Sequence, residues 1–303
     1  MTEDFLALTL VPLLVALFAS IACALPGNFL VLRRQSLIGD AISHVVLPGV
    51  VGAYVLTGTL STLPVLTGAI IAALMAVGLI ELVRRLGRIE PGAAMGVIFT
   101  AMFAAGILWL ELTDSSSVHL DVEHVLYGNL ESLIWLDGQH WTDLLDPDAL
   151  ESLPPQLSRL AWALLAVCLF VGWRWRALVL GTFDQDFAAS VGARPSLNNL
   201  ALLVVVALAA VAAFEAVGAI IVVAMLICPP AAARLMTDHL AAQVAWSVGF
   251  AALSAVLGYV LAGWGPLWLG LPDSVSAAGM IATVSGLLLA GACLLGPRRR
   301  SLG

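Results

Sequence analysis

Lysine is absent from all 303 residues, so the thirteen basic side chains are all arginine. Without lysine there is no phosphate-binding loop ending in Gly-Lys-Ser/Thr and no amine for a Schiff base. Energy for any work the chain performs comes from a gradient or from a partner chain. Charge is scarce too: 11% of residues are charged against 61% apolar, and the mean hydropathy is +1.03. A soluble domain carries about a quarter charged residues, so this composition describes a polytopic membrane protein. The net charge of −7 says little until each charge is placed on a side of the membrane, and nucleic acid is not an expected partner. Cysteine pairs are missing as well. Cys23, Cys168, Cys228 and Cys293 stand singly in apolar stretches with no C-x-x-C, which makes them packing residues rather than ligands or disulfides. The N-terminus, Met-Thr-Glu-Asp, is acidic where a secretory signal is basic, so the first apolar run is expected to remain as a span.

Apolar runs fall at about 5–27, 37–58, 63–83, 93–111, 160–181, 197–214, 216–233, 240–263 and 275–296. A span needs about 20 apolar residues. The expectation is an all-α bundle of eight or nine transmembrane helices in one domain over 1–303, with no separate soluble domain. With the N-terminus outside, every arginine except Arg159 falls on the cytoplasmic side, which orients the chain by the positive-inside rule and puts the C-terminus inside. Asp114, Asp121, Glu123 and Asp137 then lie outside, and the Asp-, Pro- and Trp-rich stretch at about 137–158 reads as an acidic external loop. Before it, Val125–Trp135 is too short to span and reads as a re-entrant or half-buried helix. On the cytoplasmic side, 182–195 reads as a short surface helix with Phe183, Phe187 and Val191 at four-residue spacing, stopped by Gly192 and Pro195.

Ionisable groups inside spans cost about 2.5–3.5 kcal/mol each and call for a function. Asp40 and His44 are four apart, so a helix places them on one face, where they can serve one ion together. Pro48 deprives the His44 carbonyl of its helical donor and lets the helix bend beside the pair. Glu215 stands between two apolar runs, in a tight or broken-helix connection, and Pro229 and Pro230 leave the carbonyls of Met225 and Leu226 without amide donors. Two carboxylates and one imidazole suit a divalent first-row cation: manganese or iron(II), with zinc also accommodated. The same spacing also suits an ordinary hydrogen-bonded Asp40–His44 pair near the cytoplasmic end of a span, and Glu215 equally suits an amide cap. His119, His124, His140 and His239 read as loop or surface residues.

The stretch Leu32-Arg-Arg-Gln-Ser-Leu-Ile-Gly-Asp-Ala-Ile-Ser-His-Val-Val-Leu-Pro-Gly49 resembles the membrane permeases of bacterial ABC importers for manganese, zinc and iron. Three further stretches resemble the same family in order. These are Leu120–Leu130, with Tyr127 in place of the family's Phe; Phe183–Gly192; and Ala216–Arg234, with Pro230 in place of Ala. The 137–155 segment is longer than the family's usual connection. The resemblance implies a fold related to the cobalamin and siderophore importer permeases. It also implies a second permease subunit, cytoplasmic ATPase subunits, an extracytoplasmic metal-binding protein and a place in the bacterial inner membrane. It implies no enzymatic activity of the chain itself and no permanently bound cofactor, the metal being cargo moved by alternating access. It assigns metal coordination to Asp40, His44 and Glu215, and ATPase coupling to Phe183, Asp184, Asp186, Phe187 and Gly192. The alternatives are a gradient-driven carrier or channel and a polytopic membrane metalloenzyme; the latter would lack any H-E-x-x-H motif.

Overall fold

A computed structural model describes residues 6–59, 61–112, 130–135, 137, 143, 146, 149–150, 152–268, 270 and 275–297. Helices account for nearly all of them, and no strand occurs among the described residues. In chain order they are α1 (Val11–Leu32, entered through a π turn at Leu6–Leu10), α2 (Ile38–Thr57), α3 (Thr62–Gly87), α4 (Pro91–Leu112), α5 (Pro155–Phe183), α6 (Gln185–Ser190), α7 (Pro195–Met236), α8 (Leu240–Trp268) and α9 (Ala277–Leu295). All but α6 are long and apolar enough to cross a membrane, which makes eight such helices among the described residues. The local reasons are legible in the residues. Proline opens α4, α5 and α7, where its missing N–H costs nothing. Ser276 caps α9 by accepting from the Gly279 amide, and Gly58 ends α2 in the left-handed region at φ 66°.

Nine apolar runs become eight helices because two of them, 197–214 and 216–233, join in α7. The join is not regular: Gly218 sits at φ 78°, ψ 171°, well outside helical geometry. That φ is accessible to glycine and strained for any other residue. The halves on either side of Gly218 measure roughly 34 and 27 Å at 1.5 Å per residue, each about the thickness of a bilayer's hydrocarbon. Glu215 therefore lies within one turn of a break, as its position between the two runs led us to expect. Pro229 and Pro230 are tolerated inside the second half, and the carbonyl of Leu226, which Pro230 strips of its donor, lies against Gly27 of α1.

By contacts the chain divides into two units, and the boundaries fall within α1, α5 and α7. The first comprises Met1–Asn28, Glu123–Cys168 and Ala213–Gly303, and the second Phe29–Val122 and Leu169–Ala212. In the first, α8 packs on α9, and the 3-10 turn Leu130–Ser132 leads to Trp135. Trp135 is completely buried: its amide donates to the Ala7 carbonyl at 2.9 Å, and its indole N–H to the Ala149 carbonyl and the Ser152 hydroxyl at 3.0 Å. Of the expected re-entrant piece only 130–135 is described, as this turn. The 120–129 part of the motif, Arg298–Arg300 and most of 136–148 lie outside the described residues.

In the second unit α2 packs on α3 and α4 at very close range. A methyl group on Gly49 would lie 2.6 Å from the Gly68 carbonyl, and one on Gly106 would lie 2.8 Å from the Pro48 ring. Such small residues let helix backbones meet in a membrane, where no hydrophobic effect draws helices together. This contact holds in place the helix that carries Asp40 and His44.

Candidate metal pathway site

Asp40 and His44 occupy the first two turns of α2, and one helical turn brings Asp40 Oδ1 to 3.6 Å from His44 Nε2. Both side chains are about two-fifths exposed, 42% for Asp40 and 39% for His44, so neither is sealed within the chain. Among the described residues no hydrogen bond within 3.5 Å occupies either group. The ordinary hydrogen-bonded pair that the spacing also allowed is not formed at this distance. Ser43, on the same turn, donates its hydroxyl to the Gly39 carbonyl at 3.0 Å and keeps its lone pairs free.

Two aromatic rings fix the imidazole. Phe99 of α4 stacks on it at 5.2 Å between centroids and 18° between planes, and Phe103 meets it edge-on at 5.5 Å and 73°. Restricting the ring aims Nε2 at Asp40 and spares the entropy of ordering it on ion capture. Nothing in the sequence marked these phenylalanines, because a four-residue pair on an all-apolar helix looks the same whether it faces lipid or a histidine.

Glu215 has a different companion. Arg159, in the second turn of α5, places Nη1 2.5 Å from Glu215 Oε1, and both side chains are about three-quarters buried, at 28% and 24% exposure. An arginine and a carboxylate at this depth compensate each other's desolvation. Arg159 was the one arginine that the expected orientation left outside, and in the structure its partner is Glu215. Among the described residues no three His, Cys, Asp or Glu side chains gather into a cluster of metal-holding size. The structure thus brings Asp40 and His44 together and places Glu215 with an arginine. A pocket of about 250 Å³ beside Pro48, with Gly52, Ile71 and Trp109 in its wall, is apolar and offers an ion nothing.

Within 182–195 a short helix forms over Gln185–Ser190 only; Phe183 ends α5 and Val191 lies in the turn after α6. Asp184 caps α6 by accepting from the Phe187 amide at 2.8 Å, and Gly192, at φ 77°, stops the turn that follows. Ala188 is buried beneath it, while Phe183, Phe187 and Val191 are each more than half exposed. Asp186 is exposed in the first turn. Three large apolar side chains are thus exposed within one short polar connection.

Known proteins resemble the chain in sequence and in fold. A sequence model described as the ABC 3 transport family matches residues 6–137 and 148–293. The manganese transport system membrane protein MntD of Bacillus subtilis is 36% identical over 277 residues, 91% of this chain and 88% of that protein. The zinc transport system membrane protein TroD of Treponema pallidum is 37% identical over 291 residues, 96% of this chain and 75% of that protein. Among solved structures, PsaBC from Streptococcus pneumoniae in complex with Fab superposes with a TM-score of 0.73 at 27% identity, covering 96% of this chain and 93% of that one.

Proposed function

The chain belongs to the ABC 3 transport family, and from that premise we propose that it is the membrane permease of an ATP-driven importer for manganese, zinc or iron(II). The observation that carries the proposal is the Asp40–His44 pair: an acid and an imidazole on one helical turn, open to an ion and committed to no other group. One oxygen and one nitrogen ligand on a single turn suit a first-row dication, with water or a second permease subunit completing the shell. Few protein ligands keep binding weak enough for release, as transport requires. Glu215 is the third pathway group, and in the metal-free chain an ion reaches it by displacing Arg159.

The proposed orientation puts the N-terminus outside and the C-terminus in the cytoplasm of the bacterial inner membrane. It requires α7 to cross twice, with its break on the outer side, because Arg194 before it and Arg234 at its end both belong inside. The Arg159–Glu215 contact supports this: Arg159 begins α5 at the outer end, and its carboxylate partner lies three residues before the break. A metal-binding protein delivers the ion to that outer side. On the inner side Phe183, the last residue of α5, and Phe187 of α6 seat in a separate ATPase subunit, and the movement of that subunit rocks the helices.

Replacing Phe183 and Phe187 together with alanine tests the coupling. Metal uptake into vesicles holding the assembled transporter is expected to fall by about tenfold or more, as for central aromatic anchors of an interface. Metal retention by the isolated permease should stay unchanged. Undiminished uptake would remove the coupling role from α6.

A further inference from the structure

We infer that the second unit carries an anion site, distinct from the metal pathway, that takes a phosphate group at the level where four membrane helices end. The site is a pocket of about 440 Å³ whose wall includes Arg33, Arg34, Gln35, Arg84, Thr182 and Ser196. These residues come from the end of α1, the end of α3, the end of α5 and the start of α7.

Its charge is unbalanced. Arg33 spends its guanidinium on neutral acceptors: the Thr182 hydroxyl at 3.0 Å, the Asn199 side-chain oxygen at 2.9 Å and the Leu178 carbonyl at 3.3 Å. Burial lowers its pKa from 12.5 to about 10, so it stays charged in the cell without a carboxylate beside it. Arg34 makes no ion pair among the described residues. Arg84 and Arg85 share one carboxylate, Glu81, at 2.8 and 2.6 Å, and Arg85 also donates to the Ser196 hydroxyl. Three arginines, Arg33, Arg34 and Arg84, therefore line the pocket with Arg85 beside it, and the one acid paired with any of them among the described residues is Glu81. Asp184, next to the lining residue Gln185, has its carboxylate engaged by the Phe187 amide.

Three independent features of the same wall point to a missing ligand. Gln35 is 94% buried, being 6% exposed, and its side-chain oxygen has no hydrogen-bond partner, leaving an amide that can turn either end to a ligand. Arg34 is held at φ 57°, a conformation that a non-glycine residue adopts only under constraint, and this exposed residue forms part of the pocket wall. Helix α7 begins at Pro195, which has no N–H, so the Ser196 amide and the positive dipole end of the helix open on the same space. A phosphate oxygen set satisfies arginine forks, helix amides and a side-chain amide together, which a carboxylate or halide does less completely. Ends of spans lie at the headgroup layer of a bilayer, so the phosphodiester of an anionic lipid is one source of such a group, and free phosphate from solution is the other.

The test uses the full chain in nanodiscs of phosphatidylcholine. One arm adds phosphatidylglycerol and follows its retention by native mass spectrometry; the other titrates inorganic phosphate into neutral discs and follows thermal protection. Arg34→Gly keeps the left-handed backbone and removes only the guanidinium. Arg88→Gly is its control, since Arg88 has the same backbone sign, φ 50°, at the end of α3 but is no part of the pocket wall. Arg34→Gly is expected to weaken binding by about tenfold, the effect of one charge-assisted contact, and Arg88→Gly by less than about twofold. Retention in the first arm identifies the lipid phosphate, and protection in the second the free one. Wild-type protein that binds neither, or equal losses in the two variants, would overturn the site.

Discussion

Replacing Asp40 with Asn is expected to cut metal accumulation by about a hundredfold or more while leaving assembly and ATP hydrolysis in place. The amide matches the carboxylate in shape but brings no negative charge, and a dication held by two protein ligands cannot spare one of them. The fold should not register the change. Asp40 is two-fifths exposed and makes no hydrogen bond among the described residues, so nothing buried is orphaned by the substitution. Radiometal uptake into cells or vesicles reads the effect, and the thermal midpoint of the purified chain checks that folding is intact. Uptake at the wild-type rate would remove Asp40 from the pathway.

The second large effect concerns the Arg159–Glu215 pair. If a metal ion reaches Glu215 by displacing Arg159, the two side chains are not equivalent, and single substitutions should have opposite effects on metal retention. Arg159→Gln leaves a carboxylate without its resident cation, so the metal should be held about tenfold more tightly and released more slowly. Glu215→Gln should weaken retention by a similar factor. The exchanged pair, Arg159→Glu with Glu215→Arg, restores the contact and is expected to restore stability without restoring uptake. A structural tie alone predicts otherwise: both single variants would lose stability together, and the exchanged pair would transport normally.

Much of this was legible in the residues, and the limits have physical causes. Helix number and placement followed from apolar run length, because a bilayer imposes that length on every span. The eight helices fall within the expected eight or nine; hydropathy left that choice open because Gly218 lets two runs join through a single non-helical residue, and hydropathy registers composition, not a dihedral angle. Asp40 and His44 came together as their spacing required, since four residues on a helix always share a face. The Phe99 and Phe103 rings on His44 were invisible, being tertiary neighbours on a helix without a polar side to orient it. Arg159 did leave a signal as the one arginine against the charge bias, but charge counting marks an exception without naming its partner. The α6 helix was readable because its cap, its apolar spacing and its stop are all local, at Asp184, Phe187 and Gly192.

Uptake of radioactive manganese, zinc and iron(II) into sealed vesicles, with the permease reconstituted alone or with its ATPase and metal-binding protein, tests the central claim most directly. The account predicts accumulation against a gradient only when the ATPase and ATP are present, and its loss in the Asp40→Asn chain. Metal movement at the same rate through the permease alone, driven by an imposed ion gradient, would contradict it and make the chain a carrier or channel.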